Sequence, residues 1–254
     1  MDLTSILGPI IGIGLVLLGQ AMEGGNINQL IQVTAFLIVI GGSLGAVVMS
    51  FPGSVLKIAV EMLKDVFGNL NIDFNETISE ILKYAQKARK EGIIALEKDA
   101  KKASDPLLTL GLEAVSDGSD PVLVKSMMEN QISRLEERVT AGAKVWESFG
   151  GYTPTLGIVG AVLGLIQVMQ NLNDPSKLGA GIAVAFVATI YGLIAANIFF
   201  IPFGTKLKFK YQHVMLKKEI IIEGVLSIQA GESPALIERK LQSFLPDMGK
   251  SEEK

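Results

Sequence analysis

The chain of 254 residues contains no cysteine. A disulfide framework, a thiolate nucleophile and a Cys-ligated metal site are therefore excluded. Its single histidine, His213, cannot build a zinc site alone, and it lies among lysines where a solvated side chain is expected. Charge is scarce at 19 %, against about a quarter in soluble proteins. The balance of 26 acids to 23 bases leaves a net −3 and no basic face for nucleic acid. There is no HExxH, GxSxG, P-loop or EF-hand pattern, so neither an enzyme nor a cofactor is expected. What the chain does have is apolar mass: 49 % hydrophobic residues and a mean hydropathy of +0.42 mark a membrane protein.

That mass is concentrated in two pairs of runs. Phe149 to Asn173 and Gly179 to Phe203 contain no Asp, Glu, Lys, Arg or His, and only Asp174-Pro175-Ser176-Lys177 lies at the heart of their connection. Each exceeds the roughly 20 apolar residues needed to cross a bilayer. Together they predict a transmembrane hairpin. Gly157, Gly160 and Gly164 on the first helix, with Ala185, Ala188, Gly192 and Ala196 on the second, allow close approach of backbones. Leu3 to Met22 and Ile27 to Met49 form an earlier pair around the turn Glu23-Gly24-Gly25-Asn26, with Ser43 expected on a crowded side between Gly41 and Gly45. Met1-Asp2-Leu3 carries no basic n-region or cleavage site, so the first run is expected to stay as a helix.

Lysines set the expected orientation. Lys57 and Lys64 follow the second run, Lys144 precedes the third, and Lys206, Lys208 and Lys210 follow the fourth, whereas the short turns hold only Lys177. The positive-inside rule then places both termini and the middle segment in the cytoplasm. The fold class expected is an all-α membrane protein with four transmembrane helices, a helical cytoplasmic domain between helices 2 and 3, and a C-terminal cytoplasmic helical extension. The corresponding domains are 1–51, 52–147, 148–205 and 206–254.

Within the middle segment, Ser54 to Phe67 has amphipathic spacing, and Asn75 can cap a helix from Glu76 to about Lys90. Gly92 marks a break, and Ile93 to Lys102 forms a turn or two before Asp105-Pro106. Asp120-Pro121 reads as an N-cap and N1 pair opening a long helix that continues into the third span, with breaks expected at Gly150-Gly151 and Pro154. Lys206 to Ile228 prolongs the fourth span, Gly231 ends it, and Ser233-Pro234 starts a last helix to about Phe244. The tail from Gly249 to Lys254 is polar and expected to fray.

No span carries a carboxylate, so an ion path through this protein would need one from a partner. The intramembrane polar candidates are Thr155, Thr189, Tyr191 and Asn197. Each could line a path, or could bond a carbonyl one turn back or tie two helices together. Register decides whether Thr155 and Thr189 share a height. In the charged stretch Lys83 to Lys102, Arg89 and Glu97 flank Gly92 and could steer a charged partner or belong to a solvated helix face.

Three stretches, TPTLGIVGAVLGLIQVMQNL from Thr153, GIAVAFVATIYGLIAANIFFIPFGTKLK from Gly181 and EGVLSIQAGESPALIERKL from Glu223, closely resemble the flagellar stator A-subunit family (MotA/PomA). The resemblance covers nearly the whole chain. It implies an ion channel of five A-subunits around two B-subunits, whose single transmembrane helices supply the ion-carrying aspartate, and a rotor switch ring as the driven partner. It further implies torque coupling through Pro154 and Pro202, an ion path at Thr189 with Thr155 and Tyr191 as lining candidates, and rotor contact through Arg89 and Glu97. Ala161 and Ala188 stand where the sodium-driven branch usually has threonine, which favours protons, since a bare cation needs oxygens in place of its water. The location implied is the bacterial inner membrane. A TolQ/ExbB-like energiser shares the two-span core but usually has three spans and lacks the long insertion. A non-conducting scaffold, or a solute transporter with internal repeats and a midplane site, completes the alternatives.

Overall fold

A computed structural model describes residues 2–70 and 72–245, without the side chains of 175–177. The frayed tail expected at 249–254, and the side chain of Lys177, lie outside what is described. Helices account for nearly all of the described residues, and no strand occurs among them. Four helical stretches are long and apolar enough to cross a membrane: Leu3–Met22, Ile27–Ser50, Pro121–Gln170 and Leu178–Gln229. The chain divides into two compact units, Met1–Leu70 with Arg138–Phe209 and Asn71–Glu137 with Lys210–Lys254. The first boundaries differ from those read at 52 and 147, because α4 (Gly53–Phe67) packs with the spans.

In the first unit, α1 (Leu3–Met22) is capped by Asp2, whose carboxylate accepts from the Thr4 N–H at 3.1 Å. The second run is not the continuous helix its hydropathy suggests. Asn26 and Gln29 form a capping box around the 3-10 turn Ile27–Leu30, and Ile31 and Gln32 then turn extended. That break leaves the Leu30 carbonyl and the Gln32 N–H open, and the Tyr191 hydroxyl serves both: it donates to Leu30 O at 2.6 Å and accepts from Gln32 N at 3.1 Å. In apolar surroundings such groups must be satisfied within the protein. The helix resumes as α2 (Val33–Phe36), a π segment (Leu37–Gly41) and α3 (Gly42–Ser50). Ser43 is fully buried, as expected, but Gly41 and Gly45 face open space; the close approach is at Gly42, against Leu156.

Helix α4 buries Ala59, Met62 and Val66, and the Trp146 indole N–H donates to Ala59 O at 3.0 Å. Trp146 also stacks with Phe149 and Phe200 and meets Phe203 edge-on. Lys206 ties in the start of α1 by pairing with Asp2 at 2.9 Å and Thr4 Oγ1 at 2.6 Å.

Helix α8 (Pro121–Gln170) runs unbroken for 50 residues and supplies both units. The breaks expected at Gly150-Gly151 and Pro154 do not occur. Pro154 has no N–H for the Gly150 carbonyl one turn back. The buried Thr153 hydroxyl fills that vacancy, donating to Gly150 O at 3.2 Å. The fourth span is α9 (Pro175–Ile194), a π segment (Ala195–Phe200) and the start of α10 (Ile201–Gln229). The widened π turn contains Ile198, the residue against which the Pro202 ring would otherwise press.

In the second unit, α5 (Phe74–Glu91) starts one residue before the expected cap. Asp73 rather than Asn75 is its N-cap, accepting from Glu76 N at 2.9 Å. Gly92 breaks the chain as expected, with φ 86°. A 3-10 turn (Ile93–Leu96) and α6 (Glu97–Ala100) follow. The sequence reading passed over α7 (Pro106–Ser116), although Asp105-Pro106 repeats the N-cap and N1 signature of Asp120-Pro121. Asp105 caps α7 and forms a largely buried pair with Lys218 at 2.6 Å. Ile81, Leu96, Leu108, Leu112, Ile221 and Leu241 are fully buried in one core. Gly231 (φ 71°) ends α10, and Ser233 caps α11 (Pro234–Gln242).

Candidate functional site

The membrane candidates converge on the α8–α9 hairpin, which is packed almost backbone to backbone. A Cβ at Gly157 would lie 3.0 Å from Ala188 O, at Gly160 2.6 Å from Ala188 Cβ, at Gly164 2.7 Å from Ala185 N, and at Gly192 2.6 Å from Thr153 O. At Gly160, Gly164 and Gly192 a Cβ would force its neighbours to shift, and at Gly157 it would be tight. The contacts also fix the register. Gly157 faces Ala188 and Thr189, while Gly192 faces Thr153 and Pro154, so Thr155 and Thr189 fall within one helical turn of the same height.

Their hydroxyls are similarly arranged. Thr155 is exposed and donates to Tyr152 O at 2.7 Å; Thr189 is half-buried and donates to Ala185 O at 3.2 Å. Each proton is committed to its own helix, but each oxygen keeps a lone pair that can accept from an acid or face a cation. The other lining candidates are placed differently. Tyr191 spends its hydroxyl on the break at Leu30–Gln32, Ala188 is fully buried against Gly160, and Ala161 is half-buried. Asn197 is exposed and donates to Leu193 O at 2.9 Å. Pro154 is half-buried beside Gly192, and Pro202 is exposed.

Arg89 and Glu97 lie in the second unit, at the end of α5 and the start of α6. Both are exposed, and among the described residues neither forms an ion pair. Their neighbours are bound instead. Asp99 pairs with Lys87 and, at 2.9 Å, with Lys102. Hydrogen bonds from these two ammonium groups hold the Asp99 carboxyl down to about 2, and the bond to Asp99 raises Lys87. Glu80 accepts from Ser104 N at 2.9 Å and from its hydroxyl, while Tyr84, its pKa raised chiefly by burial and then by Glu80, sits between Glu80 and the Asp99 carbonyl. The charged stretch therefore contains both kinds of group: a bound set that closes the Gly92 loop, and an unpaired set that points outward. Sequence spacing did not reveal the Lys87–Asp99 and Glu80–Ser104 contacts, because these partners lie 12 and 24 residues apart.

Comparison with known proteins gives consistent matches over both units. The model of the MotA/TolQ/ExbB proton channel family matches residues 99–220, and that of the motility protein A N-terminal region matches residues 6–92. Motility protein A of Helicobacter pylori is 37 % identical over 245 residues, covering 96 % of this chain and 95 % of that protein. Chemotaxis protein PomA of Vibrio alginolyticus is 33 % identical, with 96 % of each covered. Among solved structures, C. jejuni MotAB matches with a TM-score of 0.93 at 32 % identity over 100 % of both chains. The flagellar MotAB stator complex of Bacillus subtilis matches with a TM-score of 0.88 at 34 % identity over 96 % of both.

Proposed function

The chain belongs to the MotA/TolQ/ExbB proton channel family, and from that premise we propose how its residues act in a flagellar stator. It is a multi-pass inner-membrane subunit of the motility protein A kind and not an enzyme. In our reading it joins a B-type partner, as the relatives do in MotAB complexes. Five copies surround the partner's transmembrane helices, with both termini and the second unit on the cytoplasmic side, where Lys57, Lys64, Lys206 and Lys208 then lie.

The observation that carries the reading is the pair of hydroxyls within one helical turn of the same height, Thr155 and Thr189, in a hairpin whose apolar runs hold no Asp, Glu, Lys, Arg or His. A path there needs a carboxylate from outside the chain, and the partner's aspartate supplies it. Neutralising that aspartate by protonation removes a charge that is costly in the bilayer. The protonated and ionised forms contact the ring differently, and that difference biases it towards its next equivalent packing. Pro154 and Pro202 pass the step along α8 and α10, and the unpaired Arg89 and Glu97 engage the rotor's switch ring. Protons are the ion favoured, because Ala161 and Ala188 add no hydroxyl ligands.

Swimming speed of cells carrying this chain and its partner, measured against external sodium at fixed pH, tests the reading. Speed indifferent to sodium, abolished by a protonophore and lost in Thr189→Ala is the expected result. Speed that climbs with sodium would overturn proton coupling. Unchanged swimming when Thr189 and Pro154 are both replaced would identify a scaffold that conducts nothing.

A further inference from the structure

Between α1 and the fourth span, the first unit contains a groove of about 280 Å³ whose walls include Gly8, Pro9, Gly12, Asn197, Pro202 and Lys206. Its two ends differ in chemistry. The bore is apolar, walled by Pro9, Ile198 and Phe203 beside Gly8 and Gly12, and the Ser5 hydroxyl and one Asn197 amide N–H are bonded to Val66 O and Leu193 O. The mouth is polar, lined by Thr4 and by Lys206, the only charged side chain on the wall. Lys206 gives one N–H to Asp2 and one to Thr4, and its ammonium has three, so one donor remains for a ligand.

We propose that this groove is a phospholipid site: an acyl chain lies along Gly8 and Gly12, and the phosphate at the same end of the bilayer accepts from Lys206. The unit spans a bilayer, so hydrocarbon is the medium at hand to fill a gap that close packing does not leave empty. A lysine just past the apolar run that ends at Phe203, beside a bore of this kind, is where a lipid phosphate is met. A second copy of this chain is the competing occupant, but it would have to present an apolar ridge ending in an acceptor.

The groove can be filled without disturbing its walls. A Cβ at Gly8 meets nothing within 4 Å, and the same holds at Gly14, which is exposed and does not line the groove. Native mass spectrometry of the stator complex released from membranes should find phospholipid retained on the wild type and on Gly14→Leu, and lost from Gly8→Leu. Equal retention on the two variants would overturn the site. Photoactivatable phospholipid applied to the unaltered complex gives a readout independent of any substitution. Labelling concentrated on the peptides containing Gly8–Gly12 and Asn197–Pro202 is expected, with little from a diacylglycerol probe that lacks the phosphate. Label spread evenly over the apolar surface, equal labelling by the two probes, or cross-linking of these peptides to a neighbouring copy would each refute it.

Discussion

At the scale of single residues, the membrane unit depends on atoms that are absent and on hydroxyls that complete a broken backbone. Gly160→Val would place a branched side chain where even a Cβ comes within 2.6 Å of Ala188 Cβ. Overpacking of this kind costs about 1–3 kcal/mol, and unfolding in a denaturing detergent should show that loss together with loss of swimming. Tyr191→Phe removes only the hydroxyl and strands the Leu30 carbonyl and the Gln32 N–H. The expected cost is about 1–3 kcal/mol, with faster hydrogen exchange concentrated at Gln32. The sequence singles out Tyr191 as a polar group in a span and suggests an ion path. Its partners lie 159 and 161 residues away in a segment whose hydropathy reads as uninterrupted helix. No local pattern reports such a bond.

Among elements, helix ends and loops were legible wherever a local rule governs them. Gly92, Gly231, Ser233-Pro234 and Asp120-Pro121 all mark real boundaries. Pro154 was misread as a break, because the rule for water makes it one, whereas here Thr153 compensates one turn back. The Gly92 loop is closed by Asp99, whose carboxyl is held at about 2, below its unfolded value. A depressed pKa means that the contribution is complete above the unfolded value of about 4 and disappears as pH falls towards 2. Thermal unfolding of the full chain should therefore lose stability over that window, and Asp99→Asn should remove part of the dependence. Gly92→Ala puts a Cβ at φ 86° and ψ 161°, a conformation that only glycine adopts readily. It should cost about 1–3 kcal/mol, read in the same melts.

For the whole molecule, four spans and an all-helical fold could be read from apolar runs and missing charges. The division into units could not, since α4 looks like any amphipathic helix until Trp146 and Phe67 show what it packs on. Arg89 and Glu97 test function at this scale. Neither has an ion pair to lose, so Arg89→Glu combined with Glu97→Lys should leave stability within about 0.5 kcal/mol while lowering torque on tethered cells. Normal torque in that double variant would separate these residues from the rotor.

The aromatic stack has a practical consequence. Trp146 is the only indole in the chain, so excitation near the red edge of protein absorption interrogates one point, where α4, α8 and the fourth span meet. Detachment of α4 would bare that ring and shift its emission, whereas melting of the unit built on Ile81, Leu112 and Leu241 would leave the colour of the emission unchanged and register only in circular dichroism. Two optical signals thus give the chain a native fluorophore for timing the disassembly of one unit against that of the other.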